Sequence, residues 1–256
     1  MKIAVSGKGG VGKTTLSTGL IQCFARSGRR VYAIDADPDT SLGITLGLDE
    51  EKLEEMVPLI DLKRVIDEKN AGGGVLVDLN PEVGEMLDDY SIDDGDICFL
   101  KMGGVKQGGT ACYCKENSFL QSILNSLFLD KEEPVVIDMS AGIEHLTRGT
   151  AKGVDAILVV TEPTRTSVKT ASVVKKLADD LGIDRVFFVG NKVRTEGERD
   201  FLISSFNSDE LLGIIPFDES LLLSSQDTRA SRNNCQVREI QDIWKKLLGG
   251  EEKTLI

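Results

Sequence analysis

The sequence predicts an α/β protein with a doubly wound, mostly parallel sheet flanked by helices. Two observations carry this prediction: short apolar runs alternate with longer helical patterns, and a glycine-rich loop joins the first run to the first helix. Runs that are apolar without alternation are typical of strands buried on both faces of a parallel sheet. Strands that alternate with helices along the chain indicate a doubly wound architecture.

The individual elements follow from these patterns. Seven runs are predicted to be strands, at residues 2–6, 31–35, 96–102, 134–138, 155–160, 185–190 and 211–216. Helices are expected from the glycine-rich loop to Gly28, which suits a C-cap, and near 116–128, 166–181, 196–206 and 236–248. Residues 50–95 carry acidic clusters, and we interpret them as a solvated insertion or surface layer. Without repeats or a long linker, residues 1–256 are predicted to form a single domain.

Composition excludes several classes of protein. The net charge of −12 and the pI of about 4.7 argue against nucleic acid as the main partner. Every apolar run is far shorter than the roughly 20 residues that span a bilayer, and the first is too short for a signal peptide. We therefore expect a cytoplasmic protein. Its five cysteines, an odd number in a long chain, indicate reduced thiols rather than a disulfide framework.

The segment GKGGVGKTT, residues 7–15, satisfies the pattern G-x-x-x-x-G-K-[ST] between a predicted strand and a predicted helix. Its backbone N–H groups can surround phosphate oxygens, and the helix N-terminus adds partial positive charge. Lys13 would reach the β- and γ-phosphates, and Thr14 would offer its hydroxyl to Mg²⁺. The predicted nucleotide-binding set of this loop is Gly7, Gly9, Gly10, Val11, Gly12, Lys13, Thr14 and Thr15.

The same letters also satisfy G-x-G-x-x-G, the dinucleotide-binding fingerprint, and Asp35 lies near the distance expected for a ribose-binding acid. That interpretation leaves Lys13 and Thr14 without a role, whereas a triphosphate with a metal ion uses both residues. We therefore favour a P-loop that binds a nucleoside triphosphate.

GKGGVGKTT resembles the deviant Walker A loop of a group of P-loop ATPases that includes MinD, ParA, the nitrogenase iron protein and the arsenite-pump ATPase. In that group the early lysine reaches across a two-fold interface to the other subunit's phosphates, and the matching residue here is Lys8. The resemblance implies an ATPase that binds ATP and ADP as a homodimer. A cation supplied in this way stabilises charge on the transferring phosphoryl group and makes dimer closure depend on the nucleotide. The alternative is a solvated lysine in a turn.

Two acidic segments resemble the switches of the same group. In DADPDTS, residues 35–41, Asp37 matches the switch I aspartate that orients or activates the attacking water. Asp35 and Asp39 could support Mg²⁺ or its waters, and their roles stay open. Asp138 ends the apolar run of PVVIDMSAG, where a Walker B acid would hold Mg²⁺ through water and the Ala141–Gly142 turn would sense the γ-phosphate. Each acid also fits an ordinary turn or strand end.

Two later segments resemble base-recognition elements. In FFVGNKV, residues 187–193, Asn191 would face the amino edge of adenine. Arg194 stands where the guanine-reading motif N-K-x-D has aspartate, which favours ATP over GTP. IIPFDESL, residues 214–221, resembles the loop that packs on adenine, through Pro216 and Phe217.

Cys112 and Cys114 are separated by one residue in a glycine-rich segment. Two thiolates can approach one soft metal ion but cannot complete a tetrahedral or square-planar site. A two-fold homodimer could place both pairs on its axis and supply four sulfurs, which would suit Zn²⁺ structurally or Ni²⁺ functionally. Alternatively, both cysteines are small buried hydrophobes. The remaining cysteines, Cys23, Cys98 and Cys235, are interpreted as core or incidental packing.

The P-loop, the DADPD segment and the central Cys-x-Cys together most resemble the CooC family of nickel-insertion ATPases, which serve carbon monoxide dehydrogenase maturation. The acetyl-CoA synthase maturation ATPase is a close sibling. The resemblance implies an ATP-dependent metallochaperone whose client is apo carbon monoxide dehydrogenase or a similar nickel enzyme.

Two alternatives stay open. The first is a positioning ATPase of MinD or ParA type. A MinD-like protein needs a basic amphipathic C-terminal helix for membranes, whereas VREIQDIWKKLLGG has mixed charges and fits a helix docked on the core. We therefore expect no stable membrane binding. ParA-like DNA binding fits poorly with the net charge of −12. An iron–sulfur scaffold or electron donor of the nitrogenase-iron-protein type would take one cysteine from each of two separated segments, whereas Cys112 and Cys114 are adjacent.

Overall fold

The computed structural model of the chain describes residues 1–37, 39–62, 87, 89–103, 123–125, 127, 132–141, 143, 146, 151, 153–219, 234 and 237–249. The strands are β1 (Lys2–Gly7), β2 (Val31–Ala36), β3 (Ile92–Asp94), β4 (Ile97–Lys101), β5 (Val135–Met139), β6 (Ala156–Thr161), β7 (Val186–Val193) and β8 (Leu211–Pro216). They form one sheet in the order β3-β4-β2-β5-β1-β6-β7-β8. All neighbours are parallel except β3 and β4, which are antiparallel.

Helices cover both faces of this sheet. They are α1 (Lys13–Arg26), α2 (Leu42–Leu46), α3 (Glu50–Glu55), α4 (Arg165–Leu181), α5 (Glu196–Ser205) and α6 (Arg238–Leu247), with a 3₁₀ turn at Leu59–Asp61. Successive strand residues point to opposite faces, so Ile3 packs in the cluster with α1 and α6 whereas Ala4 packs in the cluster with α4. The described helices include none that is long and apolar enough to cross a membrane.

The predicted doubly wound α/β fold is confirmed, and all seven predicted strands are present. The largest difference at a strand end is in β7, which continues to Val193. The first helix ends at Arg26, and Gly28 follows with the left-handed φ of 75° expected of a C-cap region. The predicted helices at 166–181, 196–206 and 236–248 are α4, α5 and α6. Of the predicted helix at 116–128, the described residues 123–125 are helical.

The interpretation of residues 50–95 as a solvated layer is partly wrong. Helix α3 has no buried residue, as expected, but Leu59, Leu62 and Leu87 are fully buried in the core. Leu59 and Leu62 lie in the short apolar segment VPLIDL, residues 57–62, which has no regular helical or strand period, so periodicity alone does not predict their burial. Strand β3 was also not expected, because its Ile-Asp-Asp is a short edge strand with two exposed aspartates.

Candidate functional site

The order of the strands brings three loops to one place. Strand β5 lies between β1 and β2, and its Asp138 aligns with Val5 of β1 and with Asp35 of β2. Since the strands are parallel, their carboxyl ends open at the same edge of the sheet, where doubly wound folds bind ligands. The glycine-rich loop follows β1 and the switch I segment follows β2, so both loops border Asp138.

The backbone of the glycine-rich loop requires glycine at two positions for both conformation and space. Gly7 has a φ of 147°, and a Cβ there would lie 2.4 Å from the carbonyl oxygen of Val160. Gly12 has a φ of 96°, and a Cβ there would lie 2.3 Å from Nδ2 of Asn191. Residues with side chains rarely adopt such φ values, so these glycines fix the path of the loop.

Helix α1 begins as an open anion site. Its N-cap is Gly12, no side chain caps it, and its first turn has no acidic residue. The unpaired N–H groups of the first turn and the helix dipole are therefore available to a phosphate. The buried Lys13 adds its ammonium there, with Nζ 3.7 Å from Oδ2 of Asp37. Lys13 and the switch I aspartate, both predicted site residues, thus lie side by side.

Asp138 is the centre of a hydroxyl cluster. Thr14 donates to Asp138 Oδ2 at 2.7 Å, Ser17 donates to Oδ1 at 2.9 Å, and the hydroxyls of Thr14 and Ser41 lie 3.2 Å apart. Burial raises the pKa of Asp138 to about 6, while the two hydroxyl bonds and nearby Lys13 oppose that shift. Carboxylate and hydroxyl oxygens are ligands that suit Mg²⁺, so Thr14 and Asp138 fit the predicted magnesium role.

Asp35 organises the switch I loop. Its Oδ1 accepts the N–H of Asp37 at 3.2 Å, and its Oδ2 accepts the N–H of Leu42 at 3.0 Å. Burial raises its pKa to about 7, and the charge of Asp138 adds to that shift. Asp39 differs, since it is exposed and its N–H donates to Oδ1 of Asp37 at 3.2 Å. The roles of Asp35 and Asp39 were left open by the sequence. Of the two, Asp35 holds the backbone of the loop through these hydrogen bonds.

Lys8 lies on the exposed rim of the site. Its Nζ donates to Oγ1 of Thr166, at the start of α4, at 3.4 Å. Gly9 and Gly10 beside it are exposed as well. Lys8 therefore stands at the surface, unlike the buried Lys13, and its predicted role across a dimer stays a prediction.

The three predicted base-recognition residues line one pocket. Asn191, Pro216 and Phe217 surround it together with P-loop residues that include Thr15. The Asn191 side chain donates from Nδ2 to the carbonyl of Val11 at 2.7 Å, so part of its amide is used to hold the P-loop. The guanidinium of Arg194 stacks 4.0 Å from the ring centroid of Phe217. Contacts of these residues with a base remain predictions.

Four further residues of the site were missed by reasoning from the sequence. Ser17 lies one turn after Thr14, and this spacing could have indicated that both face Asp138. Ser41, Glu162 and Lys192 carry no such signal, since their contacts join segments far apart in the chain.

The predicted metal-binding cysteines, Cys112 and Cys114, lie outside the described residues, as do Gly142 of the predicted γ-phosphate sensor and Cys235. In the part of the chain that is described, no three or more His, Cys, Asp or Glu side chains converge as a metal site. Cys23 and Cys98 are buried thiols, which confirms their interpretation as core residues.

Comparison with known proteins finds nucleotide-binding relatives, in agreement with the geometry of the site. The CbiA family model, described as the CobQ/CobB/MinD/ParA nucleotide binding domain, matches residues 2–229. An uncharacterized ATP-binding protein of Methanocaldococcus jannaschii is 38% identical over 232 residues, covering 88% of each chain. The carbon monoxide dehydrogenase accessory protein CooC of Rhodospirillum rubrum is 37% identical over 229 residues, covering 88% of this chain and 87% of its own.

Solved structures share the fold. MinD of Aquifex aeolicus superposes with a TM-score of 0.66 at 20% identity, covering 100% of this chain and 99% of its own. A putative plasmid partition protein of Borrelia burgdorferi, solved with AMPPNP, gives a TM-score of 0.64 at 17% identity, covering 97% and 98%. The predicted resemblance to this group, and within it to CooC, is confirmed. The chain belongs to the CobQ/CobB/MinD/ParA nucleotide-binding family and is a P-loop ATPase.

Proposed function

We propose that the protein is an ATP-driven metallochaperone that assists nickel insertion into apo carbon monoxide dehydrogenase or the related acetyl-CoA synthase. The observation that carries the proposal is the 37% identity to a carbon monoxide dehydrogenase accessory protein over 88% of the chain. The nucleotide site supports the ATPase half of the proposal. The Cys112-x-Cys114 sequence supports the metal half, in which nickel is the cargo.

ATP binds with its phosphates over the N-terminus of α1 and its base in the pocket of Asn191, Pro216 and Phe217. Lys13 moves its ammonium from Asp37 to the phosphates, since a polyanion competes well for a cation at 3.7 Å from a carboxylate. Thr14 and Asp138 would hold Mg²⁺, which neutralises phosphate charge when bound. Asp37, released from Lys13, then orients or activates the water that attacks the γ-phosphorus as the bond to ADP breaks.

Closure of a homodimer adds the exposed Lys8 of one chain to the phosphates of the other. A cation at that point stabilises charge on the transferring phosphoryl group and links the dimer to the nucleotide. Hydrolysis removes the γ-phosphate and reopens the dimer. This motion alters metal affinity or client docking at the Cys112 and Cys114 face.

Metal content under reducing, anaerobic conditions tests the proposal directly. Wild-type protein should bind one Ni²⁺ or Zn²⁺ for every two chains, with an affinity that differs between ADP and a non-hydrolysable ATP analogue. The double variant Cys112→Ala/Cys114→Ala should lose this metal but keep ATP binding. Cys23→Ala is the matched control, because it removes a buried thiol of α1 and should leave metal binding intact.

The client half is tested by activation of nickel-free carbon monoxide dehydrogenase with limiting Ni²⁺. Wild-type protein with ATP should raise the yield of active enzyme, and the double cysteine variant should not. If the protein binds no metal, or if the double cysteine variant binds metal as well as wild type does, the metal half of the proposal is wrong. The protein would then be a P-loop ATPase with a different cargo. A brown chromophore near 400 nm after anaerobic iron–sulfur reconstitution would instead favour the electron-donor alternative.

A further inference from the structure

Lys192, the residue after Asn191 in β7, has three features to which the proposed ATP hydrolysis above assigns no role. Its backbone lies in the left-handed region, with a φ of 59°, which is uncommon for a residue with a side chain. Its Nζ donates to the carbonyl oxygen of Gly10 in the P-loop. The same Nζ lies 2.9 Å from Oε1 of Glu162. A rare backbone conformation thus places one ammonium between two loops of the site.

Glu162 is a firm anchor for this ammonium. It directly follows β6, and its N–H bonds to Oγ of Ser167 at 3.1 Å while its carbonyl accepts the N–H of Thr164 at 2.7 Å. Ser167 is buried in the first turn of α4. Lys192 therefore ties the P-loop to the N-terminus of a long helix through a carboxylate whose backbone is fixed on both sides.

The part of the P-loop that Lys192 holds has few other supports. Lys8, Gly9 and Gly10 are exposed, and a Cβ built at Gly9 or Gly10 would meet nothing within 4 Å. Among the described residues, Lys192 holds the Gly10 carbonyl, Thr166 holds the Lys8 side chain, and the N–H of Val11 donates to the carbonyl of Lys8 at a long 3.4 Å. Because a peptide is planar and trans, fixing the carbonyl of Gly10 also fixes the opposite-facing N–H of Val11.

We propose that Lys192 is a positioning residue for ATP hydrolysis. With Glu162 it fixes the Gly10 peptide and so holds the exposed half of the P-loop, including Lys8, in the arrangement that hydrolysis needs. The inference rests on the proposed function where it concerns the use of Lys8 across a dimer. Strained backbone at such a point is typical of functional sites, where the surrounding structure maintains it.

The test is Lys192→Asn, because asparagine tolerates left-handed backbone while it removes the ammonium and most of the aliphatic stem, so no donor reaches Gly10 or Glu162. We expect kcat to fall about tenfold or more, while the Kd of a non-hydrolysable ATP analogue changes by less than about threefold. The unfolding temperature should stay the same or rise, since the left-handed residue is relieved. Lys175→Asn is the matched control: its Nζ lies 2.8 Å from Oε1 of Glu210 on the surface, and its loss should leave kcat unchanged.

Glu162→Gln tests whether the pair acts as a unit. It should lower kcat in the same direction, and the double variant Lys192→Asn/Glu162→Gln should be no slower than Lys192→Asn alone, since coupled residues are not additive. A wild-type kcat in Lys192→Asn, or a loss that follows a lowered unfolding temperature, would overturn the positioning role. The positioning role would also be overturned if the double variant lost kcat by the product of the two single-variant losses.

Lys8→Ala, assayed in parallel, separates this inference from the proposed function. A lowered kcat in Lys8→Ala together with a wild-type kcat in Lys192→Asn would reject the positioning role of Lys192 and keep the proposed use of Lys8. A wild-type kcat in Lys8→Ala together with a lowered kcat in Lys192→Asn would reject the use of Lys8 across a dimer. That result would favour a role of Lys192 in holding the P-loop of its own chain.

Discussion

Asp35 and Asp138 are two buried carboxylates in register on adjacent strands, and they perform different tasks. Asp138 accepts hydroxyls of α1 and faces the proposed magnesium site, whereas Asp35 accepts backbone N–H groups of the switch I loop. Both have pKa values raised mainly by burial. Ionising these two carboxylates in the folded protein therefore costs free energy, which a bound metal ion and its neighbours can offset.

This cost predicts how stability depends on pH. The pKa of Asp35 is about 7 in the folded chain against an ordinary value of 3.8, so the folded state binds the proton more tightly than the unfolded state. Its contribution to the free energy of unfolding therefore falls as pH rises from about 4 through about 7. We expect Asp35→Asn to reduce the loss of stability between pH 5 and pH 8 by on the order of 2–3 kcal/mol.

Urea unfolding of the nucleotide-free protein across this range measures the effect. Asp39→Asn is the control, because this exposed aspartate lies in the same loop and its loss should leave the wild-type slope. At pH 5 Asp35→Asn should also lower stability, since its amide oxygen can accept only one of the N–H groups of Asp37 and Leu42, and this deficit should shrink as pH rises. An unchanged pH slope in Asp35→Asn would show that Asp35 is ionised in both states.

At the scale of elements, the site depends on how strands and helices meet at the P-loop. Gly12 ends the loop and caps α1, while Asn191 of β7 packs directly against it. The last helix, α6, contributes from the other side: Ile240, Ile243, Trp244 and Leu247 are buried against the core. This confirms that α6 docks on the core, with its apolar face packed within the chain.

The close approach at Gly12 predicts a specific loss. Gly12→Ala would place a Cβ 2.3 Å from Nδ2 of Asn191 at a φ of 96°, so the loop or the Asn191 side chain must move. We expect nucleotide affinity to fall at least about tenfold and the free energy of unfolding to fall by about 1–3 kcal/mol. Calorimetric titration with an ATP analogue and urea unfolding measure the two effects.

Gly197→Ala in α5 is the matched control, because its added Cβ meets nothing within 4 Å. Alanine favours a helix over glycine, so this variant should bind nucleotide normally and be slightly more stable. Normal nucleotide binding by Gly12→Ala would contradict the requirement for glycine in the loop.

The same elements explain what the sequence could and could not predict. Continuous apolar runs and the glycine pattern predict the sheet, α1 and the P-loop. They can do so because hydrophobic periodicity and the backbone conformations that require glycine are properties of the local sequence. The Asp138 cluster was half predictable, since Thr14 is part of a motif but Ser41 reaches it only through tertiary structure. The link of Lys192 to Gly10 spans 182 positions and depends on a left-handed lysine, which no local preference favours.

At the scale of the whole molecule, charge sets the conditions for the proposed dimer. Each chain carries a net charge of −12, and two bound triphosphates would add negative charge where the P-loops approach. Repulsion at long range is screened by salt, but charges that meet at a closed interface need cations nearby. The exposed Lys8 beside the phosphate site is placed to supply one. A dimer that closes only when Lys8 and nucleotide meet would then couple assembly to ATP.

Mixed subunits test whether Lys8 acts on the other chain's phosphates. Lys8→Ala and Asp37→Asn should each be nearly inactive alone, because every site lacks one of the two groups. In a mixed dimer, the Lys8→Ala chain keeps its Asp37 and receives the intact Lys8 of its partner, so one of the two sites is complete. Random pairing makes half of the dimers mixed, so the equimolar mixture should recover about a quarter of wild-type turnover. If Lys8 served its own chain, neither site of the mixed dimer would be complete, and the mixture would stay as slow as the separate variants.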